Sequence, residues 1–180
     1  NKVLIIDNEL HRETYSQRLK AVMGALNISR SKLRGRLEIL PLRGKWTSLE
    51  YIGSKAEKFK ARGYGLVIVD AFYRALPKGT VENDNGAITD LYNMLDRFAS
   101  QIGCSFALIH HTSKGNQSMK SITDVGAGAG SQSRAADTHM TLREHKDDGY
   151  LVLESVVRSF EKQNPIVLKK VFPLMVPDYE

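Results

Sequence analysis

The sequence holds a single cysteine, Cys104, so no disulfide can form within the chain, and a reducing compartment is the expected setting. Cys104 lies inside an apolar run and reads as an inert core thiol rather than a reactive one. No apolar stretch approaches the roughly 18 residues that a membrane span needs. The opening run Lys2 to Ile6 is too short, and too soon followed by Asp7, for a signal peptide. A cytoplasmic protein without a membrane partner is therefore expected. Catalytic signatures are scarce as well. No Gly-x-Ser-x-Gly elbow supports a serine hydrolase, and no Gly-x-Gly-x-x-Gly follows a strand. Gly126, Gly128 and Gly130 alternate, but between loops. Zinc has neither a cysteine cluster nor a His-x-x-x-His pair to hold it.

What remains is a globular chain of 180 residues, 42% hydrophobic and 26% charged, long enough for one core and short for two. One domain over residues 1–180 is the expectation. Its net charge of +6 suits a polyanionic partner without requiring one. The basic run Arg30, Lys32, Arg34 and Arg36 is either a solvated face or a phosphate-contacting surface.

The stretch Gly65-Leu66-Val67-Ile68-Val69-Asp70 organises the rest. Apolar, β-branched residues ending in one acid predict a strand buried on both faces, as a central parallel sheet requires. Lys2 to Ile6, ending in Asp7-Asn8-Glu9, is a strand of the same type, and Leu37 to Leu42 and Ser105 to Ile109 add shorter ones. Helical spacing intervenes: Tyr15, Leu19, Val22, Met23 and Leu26, then Leu49, Ile52, Ala56 and Phe59 behind Ser48 as N-cap. The clearest helix starts at Asp84 or Asn85 and carries Ile88, Leu91, Tyr92, Leu95, Phe98, Ala99 and Ile102 on one face, with Gly103 as its stop. Repeated β-α-β units with right-handed crossovers give a three-layer α/β sandwich with a mainly parallel sheet. Residues 114–136 form a long Gly- and Ser-rich loop of the kind that tends to be functional. Beyond it, Thr138 to Arg143, Tyr150 to Val157 and Ile166 to Phe172 predict antiparallel strands, extending the sheet or forming an edge ribbon.

Three places carry chemistry. An acid at the carboxyl end of a parallel strand sits where such sheets bind ligands, so Asp70 either holds a magnesium ion through its water shell or merely opens a turn. Glu9, just past its own strand, either polarises an attacking water or serves as a first-turn helix residue. His110 and His111 point in opposite directions from an extended backbone, a poor bidentate metal site. One of them can position phosphate or water, or both make ordinary strand-end hydrogen bonds.

Taken together, Glu9, Leu66-Val67-Ile68-Val69-Asp70, His110-His111-Thr112-Ser113-Lys114-Gly115 and Gly130-Ser131-Gln132-Ser133-Arg134-Ala135-Ala136-Asp137 resemble the RecA-like P-loop ATPases. The branch is that of plasmid-type hexameric replicative helicases, primase-helicases and related phage or plasmid ATPase domains. The resemblance implies an ATPase core of a DNA helicase or DNA-maintenance protein using Mg and ATP, with single-stranded DNA and a homo-oligomeric ring as partners. It implies Glu9 as the water-activating residue, Asp70 as the Walker B acid, His111 as the γ-phosphate sensor and Lys114 as a nucleotide contact. Lys120, Ser131 and Arg134 would face DNA, and Arg134 or Arg158 would act as an arginine finger across a subunit boundary. The family's phosphate loop, Gly-x-x-x-x-Gly-Lys-Ser/Thr, does not occur in these 180 residues. In the family it lies just upstream of the strand that opens this chain, so a Walker A segment outside the chain is expected, and the chain alone is expected to bind and hydrolyse ATP poorly. The alternatives are a silent module that binds DNA or a partner, and a different α/β hydrolase or phosphotransferase in which Asp70 binds metal directly.

Overall fold

The computed structural model describes residues 1–45, 48–80, 84–111 and 135–179. Strands β1 (Lys2–Asp7), β2 (Leu37–Pro41), β3 (Tyr64–Asp70) and β4 (Ser105–Ile109) form one parallel sheet in the order β2-β1-β3-β4. Between β1 and β2 run α1 (Arg12–Ala25) and the single turn α2 (Arg30–Leu33); α3 (Leu49–Ser54) and α4 (Ala56–Arg62) lead to β3, and α5 (Asn85–Ile102) to β4. The chain leaves β1 toward β2, then crosses back to β3 on the other side. Right-handed crossovers therefore put α1 on one face of the sheet and α3, α4 and α5 on the other, where those three pack against one another. The reversal of direction lies between β1 and β3, which is where open α/β sheets carry their ligand crevice.

The two faces are unequal. Register sets Leu4 and Ile6 beside Val67 and Val69, all buried under α3, α4 and α5. Val3, Ile5 and Asp7 lie beside Leu66, Ile68 and Asp70 on the α1 face, and of these only Asp7 is fully buried. The expected double-sided burial of β3 is thus complete on one face and partial on the other, because α1 buries none of its residues completely. On the well-packed side α5 lays down Ile88, Leu91, Leu95 and Ile102 in one stripe. Asp84 starts this helix, its carboxylate accepting from the backbone N–H groups of Gly86 and Ala87 at 2.9 and 3.1 Å. Gly103, at φ 77°, ends it in the left-handed conformation that a glycine adopts without strain.

The helix expected from Ser48 to Phe59 is two helices broken at Lys55, just after a Gly53-Ser54 pair, a common site of kinks. Gly53 packs closely under the Phe98 ring of α5, so a Cβ there would push the end of that ring aside. Ser48 occupies the N-cap position, yet its hydroxyl bonds the Glu50 carboxylate instead of a backbone N–H. Cys104 is half-buried and packed against the core, and burial pushes its thiol pKa up, as an inert residue requires.

The C-terminal strands β5 (Thr138–Glu144), β6 (Tyr150–Val157), β7 (Ile166–Val171) and β8 (Leu174–Asp178) form a separate antiparallel sheet in sequence order. β8 was not anticipated from the sequence. It contains Pro177, which an edge strand tolerates. The whole is a mixed α/β fold, a parallel RecA-like sheet with added antiparallel strands.

Removing the α5 cap with Asp84→Ala is expected to lower stability by about 1 kcal/mol, read as a fall in the urea midpoint with an unchanged slope.

Candidate active site at the carboxyl edge of the sheet

Parallel register brings the strand ends level: Asp7 pairs with Asp70, and Asp70 with Ile109. The residues that follow, Asn8 and Glu9, Ala71, and His110 and His111, consequently leave the sheet at one edge. Local chemistry then aims each of them. The Asp7 side chain, completely buried, folds over its own turn, Oδ1 accepting from the N–H groups of Glu9 at 2.9 Å and Leu10 at 3.0 Å. That turn lifts Glu9 out of the strand. Asn8, also buried, spans the gap to β3. Its backbone N–H donates to the Asp70 carbonyl at 2.8 Å, its Oδ1 accepts from the Ala71 N–H at 2.8 Å, and its Nδ2 donates to the Ala71 carbonyl at 3.1 Å. The Asp70–Ala71 peptide is cis. Arg43, after β2, donates to the Glu9 carbonyl.

The Glu9 carboxylate is gripped at both oxygens. Oε1 accepts from the Tyr73 hydroxyl at 2.8 Å, and Oε2 lies 3.0 Å from His111 Nε2. Arg74 Nε stands 3.7 Å from Oε1. Desolvation pushes the Glu9 carboxyl pKa up, but the Tyr73 and His111 hydrogen bonds, with the charges of His111 and Arg74, outweigh it and leave the pKa below the ordinary value. Asp70 goes the other way. Desolvation, then the negative charges of Glu9 and Asp7, raise it against the weaker pull of His111 and Arg18. No described residue donates a hydrogen bond to its carboxylate. Tyr15, on α1 with Arg18, senses the same acids: its hydroxyl is raised by burial and by the Asp7 and Asp70 charges.

The two histidines part company as their backbone predicts. His110 packs at 4.6 Å from the Phe72 ring, and burial, with His111 and His139 nearby, lowers its pKa to about 4, so it stays neutral. His111 is exposed and reaches Glu9. Glu9, Asp70 and His111 are therefore brought to one edge. Arg158 follows β6 and pairs instead with Asp137 at 3.6 Å. Lys114, Lys120, Ser131 and Arg134 lie outside the described residues. Asn8, Tyr73, Arg74 and Arg18 were not singled out by sequence reasoning. Only their neighbourhood to Glu9 and Asp70 along the chain hinted at the first three.

The parallel sheet in the order β2-β1-β3-β4, with these strand-end residues at one edge, has the arrangement of a RecA-like α/β core. The chain belongs to the AAA domain family, whose sequence profile matches residues 1–117. None of the curated proteins matches it in sequence. Solved structures similar to it include an ATPase domain, at 15% identity and a TM-score of 0.73, covering 98% of this chain and 74% of that one. Another is a DnaB-like replicative helicase, solved with its interactions with primase, at 15% identity and a TM-score of 0.73, covering 96% of this chain and 49% of that one. The chain thus spans about half the length of that helicase. Likeness at this identity is one of fold.

Magnesium is the ion that the sequence reading connects with Asp70. Among the described residues no group of three or more His, Cys, Asp or Glu converges to cage a metal. Asp70 is nonetheless a half-buried carboxylate with no hydrogen-bond donor among the described residues and two acidic neighbours, the chemistry that a magnesium water shell satisfies.

Asn8→Ala leaves the Ala71 N–H buried without its acceptor and the Ala71 carbonyl with only the Arg74 N–H at 3.3 Å, and is expected to cost about 2 kcal/mol in urea unfolding. For Asp70, the folded pKa lies above the ordinary 3.8, so ionisation destabilises the fold at neutral pH and the penalty fades as pH falls through the folded pKa. Asp70→Asn should accordingly raise Tm at pH 7, with the gain disappearing in acid. A Tm at pH 7 equal to or below that of the parent contradicts this account.

Proposed function

We propose that this chain carries the water-activating, metal-holding and sensing part of an ATP-hydrolysing RecA-like core in a DNA helicase or DNA-maintenance protein. The observation that carries the reading is the convergence of Glu9, Asp70 and His111 at the switch point between β1 and β3, with His111 in hydrogen-bond reach of Glu9. Two carboxylates with pKa values driven apart are the mark of divided roles. Glu9, held ionised, takes the proton of the water that attacks the γ-phosphorus. Its lowered basicity suits phosphoryl transfer, in which orientation of the nucleophile matters more than the strength of the base. Asp70 would hold magnesium through its water shell, and the ion would supply positive charge against the phosphate oxygens. His111 touches the Glu9 carboxylate directly, so it is placed to sense a change at the γ-phosphate.

The triphosphate cradle, Gly-x-x-x-x-Gly-Lys-Ser/Thr, is not among these residues. Lys114, Lys120, Ser131 and Arg134 belong on this reading to nucleotide and single-stranded DNA contact, with Arg134 or Arg158 as a finger into a neighbouring subunit of a cytoplasmic ring. The basic excess and the exposed Arg30, Lys32, Arg34 and Arg36 support a polyanionic partner.

In the full-length source protein, Glu9→Gln should lower Mg-ATP turnover at least about a hundredfold while calorimetry finds nucleotide affinity within a few fold of the parent. Salt-sensitive DNA binding with no nucleotide binding in either form would instead identify a silent DNA-binding module.

A further inference from the structure

The short 3₁₀ turn Phe72–Ala75 after β3 buries Phe72 and Ala75 and leaves Tyr73 and Arg74 at the surface. An aromatic ring 41% exposed gains little from burial; this one is engaged at its hydroxyl. Arg74 Nε donates to the Tyr73 hydroxyl at 2.9 Å, and that hydroxyl stands 2.8 Å from Glu9 Oε1. Donor chemistry fixes the direction of the chain of bonds. A guanidinium can only donate and an ionised carboxylate can only accept, so the single hydroxyl proton points at Glu9. The Tyr73 ring also meets the His111 ring edge-on, with centroids 6.0 Å apart, and Arg74 lies over it at 5.5 Å.

From this geometry we infer that Tyr73 and Arg74 are positioning residues for Glu9. Arg74 aligns the Tyr73 hydroxyl, the hydroxyl fixes Oε1, and His111 fixes Oε2. A carboxylate has about four lone-pair sites, so each oxygen keeps one for the attacking water, and the carboxylate plane is set before substrate arrives. The buried residues on either side of Tyr73 and Arg74 make the turn a firm base for the pair. The inference rests on the reading of Glu9 as the water-activating residue. The groups facing Glu9 are Tyr73 and Arg74 from the turn, His111 from the end of β4, Asp70 from β3, Asp7 from its own strand and Arg43 on its carbonyl.

Two measurements separate this inference from that reading. In the 180-residue chain labelled with ¹³C at glutamate carboxyls, Tyr73→Phe and Arg74→Gln should each move the Glu9 titration midpoint upward, Tyr73→Phe more, because the hydrogen bond that lowers it is lost. Tyr73→Phe conserves the ring, and its site is open to solvent, so folding is not at risk. In the full-length protein the same variants should lower kcat by about tenfold or more with KM within about twofold. Arg74→Lys should restore part of the loss. An unmoved Glu9 midpoint overturns the positioning role whatever the turnover does. A Glu9→Gln protein that still hydrolyses ATP overturns the functional reading while leaving the midpoint result to stand by itself.

Discussion

The candidate site depends on one constraint: the side-chain amide of Asn8 holds both polar groups of the Ala71 backbone, while its own N–H holds the Asp70 carbonyl. The sheet ladder stops at Asp7 and Asp70, and beyond that point nothing in strand pairing itself would keep the two chains together. The Asn8 contacts extend the pairing by one residue on each side, in a buried position where each bond is costly to leave unmade. What lies outward is set by that anchor. Glu9 emerges from the Asp7 turn on one side, and the turn bearing Tyr73 and Arg74 emerges on the other. They meet across a span that the clamp fixes. A carboxylate on a loop becomes a carboxylate on a rigid edge.

Charge around this edge works against the fold locally. Asp7, Glu9 and Asp70 lie close enough for the first two to raise the third, and the second oxygen of Asp7, Oδ2, is buried with no partner among the described residues. Nearby positive groups act mainly on Glu9. A sheet optimised for stability alone would place an amide or a hydroxyl at Asp70. An acid there, with no hydrogen-bond donor among the described residues, fits the ion-holding role proposed for it, at a cost in stability.

The parallel core was legible because its signals are redundant: runs such as Leu66-Val67-Ile68-Val69, the α5 stripe, and Asp84 and Gly103 at the ends of that helix all point to the same elements. Glu9, Asp70 and His111 were legible as strand-end residues, since topology alone brings strand ends to one edge. Asn8, Tyr73 and Arg74 were not, because their role lies in contacts between positions more than sixty residues apart that no periodicity encodes. Helix breaks are equally hidden. That Gly53 lies close under the Phe98 ring is a fact of packing between α3 and α5, and the local pattern around Ser48 gives no warning of it. β8 went unread, and it holds a proline, Pro177, that an edge position permits.

The unequal packing of the sheet bears on how such a site works. Behind the edge, the layer of α3, α4 and α5 is dense, so the backbone that carries Asp70 cannot shift without disturbing Val67 and Val69 and the side chains above them. In front, α1 covers the acids with half-buried residues only, among them Tyr15 and Leu19. Elements with few buried apolar contacts open at low free energy, and ligand-site elements are drawn from that class. Arg18 on this helix is a positive charge felt by Asp70, and Tyr15 feels both buried-edge acids. Movement of α1 would therefore change the charge balance at Asp70 without moving Glu9, which is held from the opposite side by Tyr73 and His111. The division follows from the fold: the Glu9 carboxylate is anchored to the rigid layer, and the electrostatic environment of Asp70 is set by the loosely packed one.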